Sequence, residues 1–287
     1  METSELLKKV RKIEIKSKRL TNNLFTGQYH SAFKGKGMLF SEVRKYVPGD
    51  DVRDIDWNVT AKLSEPYIKV FEEERELTMM LIIDISGSNF FGSKSIFKNE
   101  YVTELAATLA FSATKNNDKV GLILFSDNVE LYIPPKKGKS HVLRIIRELL
   151  EFKSKSKKTD INVPLKFVSN ILKNRSIAFI ISDFISKDYS NSLKIFSSKH
   201  DVTGIRIYDQ TEEIIPNLGV IDINDNETGQ TLTVNTSSKM VRKKYSEYYN
   251  SKRMEFSDNF KMSGSGIIEC NTQDDYQKKL LKYFKSR

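Results

Sequence analysis

Hydrophobic positions along this chain follow two alternating patterns. Unbroken apolar runs such as Met79–Ile83 and Ile177–Ile181 are typical of strands buried on both faces of a parallel sheet. Between such runs, as over residues 98–116, apolar residues recur at the spacing of a helix. Because strands alternate with helices from about residue 78 to 208, the pattern predicts an α/β fold. We expect a doubly wound, mainly parallel sheet flanked by helices.

Other elements surround this core. The pattern predicts an N-terminal helical arm over residues 1–24, an antiparallel edge strand over 129–133 and a hairpin between 220 and 234. A long helix over 237–262, capped by Ser237, should turn one set of residues toward the core: Val241, Tyr245, Tyr248, Tyr249 and Phe256. We expect two parts, an N-terminal segment 1–75 packed on a main domain 76–287.

Composition narrows the class of protein. The net charge is +10 and the sequence pI is about 9.3, which can attract nucleic acid, anionic lipid or an acidic protein surface, or can simply reflect a Lys-rich, well-solvated surface. The sequence has no zinc-finger spacing and no aromatic-interleaved basic strand, so nucleic acid is a disfavoured partner. It also has no apolar run long enough to span a membrane, which leaves only peripheral membrane contact. The single Cys270 and an N-terminus without an apolar core predict a cytoplasmic protein.

Oxygen-bearing side chains follow the first buried strand at alternate positions. Asp84 comes directly after Met79–Ile83, and Ser86 and Ser88 flank Gly87. An aspartate at the end of a buried strand is costly unless something pairs with it. Hard oxygen ligands in a tight loop can converge on a small cation such as Mg²⁺, so this loop is a candidate metal site.

Thr159, in a polar loop, and Asp183, after a second buried strand, extend this pattern. Together with Asp84, Ser86 and Ser88 they resemble the metal-ion-dependent adhesion site of von Willebrand factor A domains. The resemblance implies Mg²⁺ or Mn²⁺ bound by the serine hydroxyls, with the threonine and the aspartates acting partly through water. It also implies an open position for an Asp or Glu of a partner protein. The alternative is that the hydroxyls only cap loops while backbone amides satisfy Asp84.

The resemblance also implies the strand order 3-2-1-4-5-6. In that order the strands ending at Asp84 and Asp183 flank the crevice where ligands of doubly wound sheets bind. One departure lies next to Thr159. Lys157 and Lys158 stand where many A domains have two glycines.

A second polar cluster, at residues 44–57, holds four aspartates, two arginines and the only Trp. Its spacing does not match the calcium loop of an EF-hand. Asp54 and Asp56 could form a catalytic carboxylate pair, but no sugar-binding context accompanies them. We favour a structural role, in which Arg44 and Arg53 neutralise the carboxylates while Trp57 packs.

This cluster resembles the block that defines the uncharacterised family called domain of unknown function 58, whose members carry it ahead of a von Willebrand factor A-like domain. The matching positions are Gly35, Gly37, Phe40, Arg44, Tyr46, Gly49, Asp50, Asp51, Arg53, Ile55, Asp56 and Trp57. Lys62 departs from the usual Arg. The resemblance extends over about residues 27–287.

The residues therefore predict a non-catalytic, metal-dependent protein-interaction module. By resemblance, its partner would be a MoxR-type AAA+ ATPase in chaperone-like assembly or stress tolerance. One alternative is a metal-dependent phosphoester hydrolase using Asp84, although Ser86 stands where a dehalogenase-type acid/base would be. Another is an electrostatic binder of nucleic acid or anionic membrane. His141 and His200 are predicted to lie at the surface and to take no part in chemistry.

Overall fold

The computed structural model describes residues 8, 10–16, 39–72, 77–87, 98–209, 213–224 and 231–287. The chain divides into two compact units, a small unit of residues 33–77 and a large unit of residues 1–32 and 78–287. Within the predicted N-terminal arm, residues 10–16 are helical (α1) and Ile13 is buried. This part of the arm therefore belongs to the large unit, whereas the sequence analysis grouped it with residues 27–75.

The small unit is built on one antiparallel strand pair. Its elements are β1 (Leu39–Lys45), a 3-10 turn (Val52–Asp54), α2 (Trp57–Leu63) and β2 (Tyr67–Glu72). β1 pairs with β2 along its length. The polar cluster of residues 44–57 begins at the end of β1 and continues through the connection to β2.

Three aspartates of that cluster have structural roles. Asp50 accepts two hydrogen bonds from the Arg44 guanidinium, at 2.7 and 2.8 Å, so the predicted neutralisation by Arg44 is confirmed. Asp51 accepts from the backbone N–H of Arg53, and Asp56 caps the start of α2. The Trp57 side chain is 67% exposed, and its role in fastening this segment to the main domain stays a prediction. Trp57 sits in the first turn of a short helix that buries none of its residues.

A six-stranded sheet forms the centre of the large unit. Its strands are β3 (Thr78–Asp84), β4 (Lys119–Phe125), β5 (Val129–Lys136), β6 (Ile177–Ser182), β7 (Asp201–Tyr208) and β10 (Gly266–Asn271). Their order is β10-β7-β6-β3-β4-β5, and only β5 is antiparallel to its neighbour. When the six strands of this sheet are numbered 1 to 6 in chain order and read from the β5 edge, the order is 3-2-1-4-5-6, as predicted. The predicted antiparallel edge strand is also confirmed.

Helices cover both faces of this sheet. They are α3 (Lys98–Lys115), α4 (Lys139–Glu151), α5 (Asn162–Ile171), α6 (Ser190–Lys199), α7 (Lys239–Met262) and α8 (Tyr276–Ser286). Met80 and Ile82 of β3 pack in one core with α5, α6 and α7. Because side chains alternate along a strand, Ile83 faces the other way, where it lines a cavity with Val102 of α3 and Leu149 of α4. The predicted doubly wound architecture is therefore present.

The predicted hairpin forms a separate two-stranded sheet, β8 (Val220–Asn224) and β9 (Thr231–Asn235). In α7, Ser238 is the N-cap, whereas Ser237 was predicted. Phe256 and Phe260 are the buried residues of this helix, and both join the core. Tyr248 is 48% exposed, so its predicted inward position is wrong. Of the predicted inward residues, Phe256 is buried as expected, whereas Val241, Tyr245 and Tyr249 are only half-buried.

Two histidines are covered by the fold to different extents. His200 is 3% exposed and its ring packs on Phe196 with centroids 4.7 Å apart, so its predicted surface position is wrong. His141 is half-buried, and its Nε2 lies 2.9 Å from the carbonyl oxygen of Val120.

Among the described helices, none combines the length and the apolarity needed to cross a bilayer.

Candidate functional site

The candidate site lies where β3 and β6 end side by side. Ile83 is opposite Ile181 in the parallel register, so Asp84 and Ser182 follow on neighbouring strands. We call the residues 84–87, 157–161 and 182–186 the crest. Of the three carboxylates of the crest, Asp84 and Asp183 are buried, at 2% and 6% exposure, and Asp160 is half-buried.

Asp84 is held by donors from two strands. Its Oδ1 accepts a hydrogen bond of 2.9 Å from the backbone N–H of Ser86. Its Oδ2 accepts one of 2.6 Å from the hydroxyl of Ser182. The same hydroxyl oxygen accepts from the N–H of Phe184 at 3.0 Å, so Ser182 ties the β3 end to the loop after β6. The side chain of Ser86 also hydrogen-bonds Asp84, so Ser86 holds the carboxylate through both its backbone and its hydroxyl.

Asp183 faces a buried lysine. Its Oδ1 accepts from the N–H of Ile185 at 3.1 Å, and its Oδ2 lies 3.7 Å from Nζ of Lys98. Lys98 is the first residue of α3, and its side chain has no exposed surface. A buried ammonium is tolerated only beside compensating groups, so this ion pair is part of the crest.

Hydrogen bonds join the loop of Thr159 to the other two loops. The N–H of Gly87 donates to the carbonyl of Lys157 at 3.1 Å. On the other side, the hydroxyl of Ser186 donates to the carbonyl of Thr159 at 3.4 Å and accepts from the N–H of Ile161 at 3.3 Å. Three loops that are distant in sequence therefore meet at one edge of the sheet.

Burial gives this edge an unusual electrostatic character. Loss of solvent and, to a smaller extent, repulsion from Asp183 raise the pKa of Asp84 to about 7. The hydrogen bonds from Ser182 and Ser86 act in the opposite direction. A cation beside the two carboxylates would favour their ionised forms.

Four of the five predicted metal ligands lie on the three crest loops, namely Asp84, Ser86, Thr159 and Asp183. The fifth, Ser88, lies outside the described residues. Ser86 is fully buried and Thr159 is half-buried. The described residues contain no group of three or more His, Cys, Asp or Glu side chains arranged for a metal. A metal here would therefore depend on hydroxyl oxygens and water as much as on carboxylates, which is chemistry that Mg²⁺ accepts.

Two residues of the site were missed in the sequence analysis. Ser182 directly precedes Asp183 in a buried strand, and a hydroxyl among apolar neighbours was the available signal. Lys98 gave no such signal, because lysines near helix ends are ordinarily exposed. Its burial results from the tertiary arrangement of α3 beside the end of β6.

Comparison with protein families and with individual relatives shows which proteins this chain is similar to. A family model described as protein of unknown function DUF58 matches residues 42–255. An uncharacterized protein of Mycobacterium tuberculosis is 23% identical over 281 residues, covering 97% of this chain and 88% of the relative. The uncharacterized protein YeaD of Bacillus subtilis is 28% identical over 122 residues, covering 42% of this chain and 27% of YeaD.

Solved structures resemble the fold at low sequence identity. The conserved hypothetical protein BatB from Bacteroides thetaiotaomicron superposes with a TM-score of 0.51 and 14% identity, covering 74% of this chain and all of BatB. An aerotolerance-related membrane protein from Bacteroides fragilis gives 0.49 and 16%, with the same coverage. The von Willebrand factor A domain of SpRpn10 gives 0.41 and 9%, covering 72% of this chain and 94% of that domain. The likeness to BatB shows the fold alone.

Proposed function

The chain belongs to the family described as protein of unknown function DUF58, and from that premise we propose that it is a metal-dependent protein-interaction module. The crest is its recognition site, and the ligand is an Asp or Glu side chain of a partner protein. The observation that carries the proposal is the meeting of three loops around the buried carboxylates of Asp84 and Asp183.

The donor set of the crest suits a hard divalent cation. Its candidate ligands are all oxygen atoms, from Asp84, Ser86, Thr159 and Asp183, with Ser88 expected to complete the set. Such a set favours Mg²⁺ or Mn²⁺ over softer metals, which prefer nitrogen and sulfur. A bound Mg²⁺ would supply a Lewis-acidic position that accepts one carboxylate oxygen from the partner.

The hydrogen bonds of Asp84 support a non-catalytic role. Both of its oxygens accept from groups of the chain itself, so the carboxylate is oriented by Ser86 and Ser182. A phosphatase of the dehalogenase type would need a second aspartate two residues later, and Ser86 occupies that position. We therefore assign Asp84 the role of holding and orienting the metal ion, and we assign it no nucleophilic step.

For the partner we propose a MoxR-type AAA+ ATPase in the cytoplasm, acting in chaperone-like assembly or stress tolerance. This choice is supported by the resemblance of residues 44–57 to the block of the domain of unknown function 58 family, since that resemblance implies a partner of this type. The net charge of +10 is also compatible with an acidic partner surface. Equilibrium binding between the two purified proteins should weaken when Mg²⁺ is removed with a chelator, and unchanged binding would contradict metal dependence.

Thermal unfolding with and without Mg²⁺ or Mn²⁺ tests the metal site. At about 100 times its dissociation constant, the metal should stabilise the wild type by about 2.7 kcal/mol. Asp84→Asn should abolish this gain in stability, because the Asn amide carries no charge with which to bind the metal. The amide can still hydrogen-bond Ser182, so this contact of the fold is kept. Asp188→Asn is the matched control, since Asp188 is an exposed aspartate that accepts from the N–H of Ser190 and lies off the crest. An equal gain in Asp84→Asn, or no gain in the wild type, would contradict the proposal.

A further inference from the structure

The buried ammonium of Lys98 is the feature of the crest that the proposed function leaves unused. Its Nζ lies 3.7 Å from Oδ2 of Asp183, and the side chain has no exposed surface. Burial of an ammonium is costly, and the strength of its ion pair depends on low local polarity. Lys98 therefore places a fixed positive charge at the edge of the sheet where the metal would bind.

Three charged groups of the candidate site lie together, because Lys98 pairs with Asp183 and Asp84 follows on the neighbouring strand. Asp84 and Asp183 each contribute one negative charge when ionised, and Lys98 contributes one positive charge, so these three groups sum to minus one. The third carboxylate of the crest, Asp160, accepts from the N–H groups of Asn162 at the start of α5 and is counted apart from them. Lys157 and Lys158 are exposed, so solvent and salt screen them. A divalent cation would change the sum over the three groups to plus one, and a partner carboxylate would return it to zero.

We propose that Lys98 determines the specificity of the crest, by weakening Mg²⁺ binding to the free protein and by making the loaded site attract a carboxylate. This inference rests on the proposed function. Its consequence is that Mg²⁺ and an acidic side chain bind cooperatively, because each lowers the electrostatic cost of the other. A site without Lys98 would already be neutral with Mg²⁺ alone, and a carboxylate would then add an uncompensated charge.

Substitutions of Lys98 separate the charge from the packing. Lys98→Met keeps an unbranched apolar stem of similar length and removes the charge. Lys98→Arg keeps the charge and serves as the matched control. If Lys98→Met does not fold, Lys98→Gln removes the charge while retaining hydrogen-bond donors, and the same comparison is made with it.

The experiment is calorimetric titration of Mg²⁺ into the full chain, in sodium acetate and in sodium chloride of equal ionic strength. Acetate stands in for the partner carboxylate. The neutral variant should bind Mg²⁺ at least about tenfold more tightly than the wild type in chloride, the size of effect that a neighbouring charge has on an ionisable group. Acetate should tighten Mg²⁺ binding in all three proteins, because it coordinates the metal, but more strongly in the wild type and in Lys98→Arg than in the neutral variant.

The outcomes distinguish this inference from the proposed function. If the wild type binds Mg²⁺ and the neutral variant binds it equally or more weakly, Lys98 does not oppose the metal and the inference fails alone. An identical acetate effect in the wild type and the neutral variant also overturns it. If neither protein binds Mg²⁺, both the inference and the metal-dependent function are wrong.

Discussion

The hydroxyl of Ser182 donates a 2.6 Å hydrogen bond to Oδ2 of Asp84 and thereby joins the ends of β6 and β3. These strands are adjacent in the sheet although 98 positions separate the two residues. The bond fixes the orientation of the carboxylate at the centre of the crest. Because both groups are buried, the geometry of the candidate site depends on it.

Removal of that hydroxyl should destabilise the fold. In Ser182→Ala a buried carboxylate oxygen loses its donor, which costs about 1–3 kcal/mol. The free energy of unfolding, measured by urea denaturation above pH 7, should fall by this amount. Ser251→Ala is the control, because the exposed Ser251 bonds only within α7, and its change should stay within about 0.5 kcal/mol. Equal effects of the two substitutions would argue against a special role for Ser182.

The free energy of unfolding should fall at acidic pH, partly because of His200. Burial, with the nearby charges of Lys199 and Arg175, lowers the pKa of His200 below its usual 6.5. Below pH 6.5 the unfolded chain therefore binds a proton that the folded chain resists, so this contribution to stability is lost as the pH falls. In His200→Phe, which keeps a ring against Phe196, stability should fall less between pH 7 and pH 5.5 than in the wild type. A stability difference that does not change with pH would contradict this account.

Two arginines that share the acceptor Glu269 should differ in their importance. The side chain of Arg206 is 2% exposed and pairs with Glu213 at 3.1 Å and Glu269 at 3.6 Å. The side chain of Arg253 pairs with Glu269 at 2.8 Å but is 49% exposed. Arg206→Met should cost about 3–5 kcal/mol and Arg253→Met less than about 1 kcal/mol, because solvent screens the outer pair. Urea denaturation of the two variants measures this contrast, and similar losses would refute it.

The sheet could be predicted from sequence because its strands carry their own signal. Runs such as Met79–Ile83 are apolar on both faces, and that pattern is typical of parallel sheets that helices cover on both sides. The edge position of β5 followed from its short link to β4. The resemblance to von Willebrand factor A domains then supplied the strand order, which no local pattern contains.

The contacts of the crest were harder to predict, because they depend on side chains from distant elements. The burial of Lys98 and the bond from Ser182 exist only once α3, β3 and β6 are assembled. The same reason explains His200, whose ring is covered by tertiary packing at the end of α6. In α7, the predicted burial of Phe256 is confirmed, but the periodic aromatic residues near Tyr248 also matched a buried face and are not buried, while Phe260 was missed.

Anomalous diffraction from crystals of the full chain grown with Mn²⁺ would locate the proposed metal. We expect one anomalous peak at the crest, within coordination distance of the Ser86 hydroxyl and close to the carboxylates of Asp84 and Asp183. We also expect the peak to be absent in Asp84→Asn and retained in Asp188→Asn. A wild-type crest without a peak, at Mn²⁺ concentrations that fill other sites, would contradict the account.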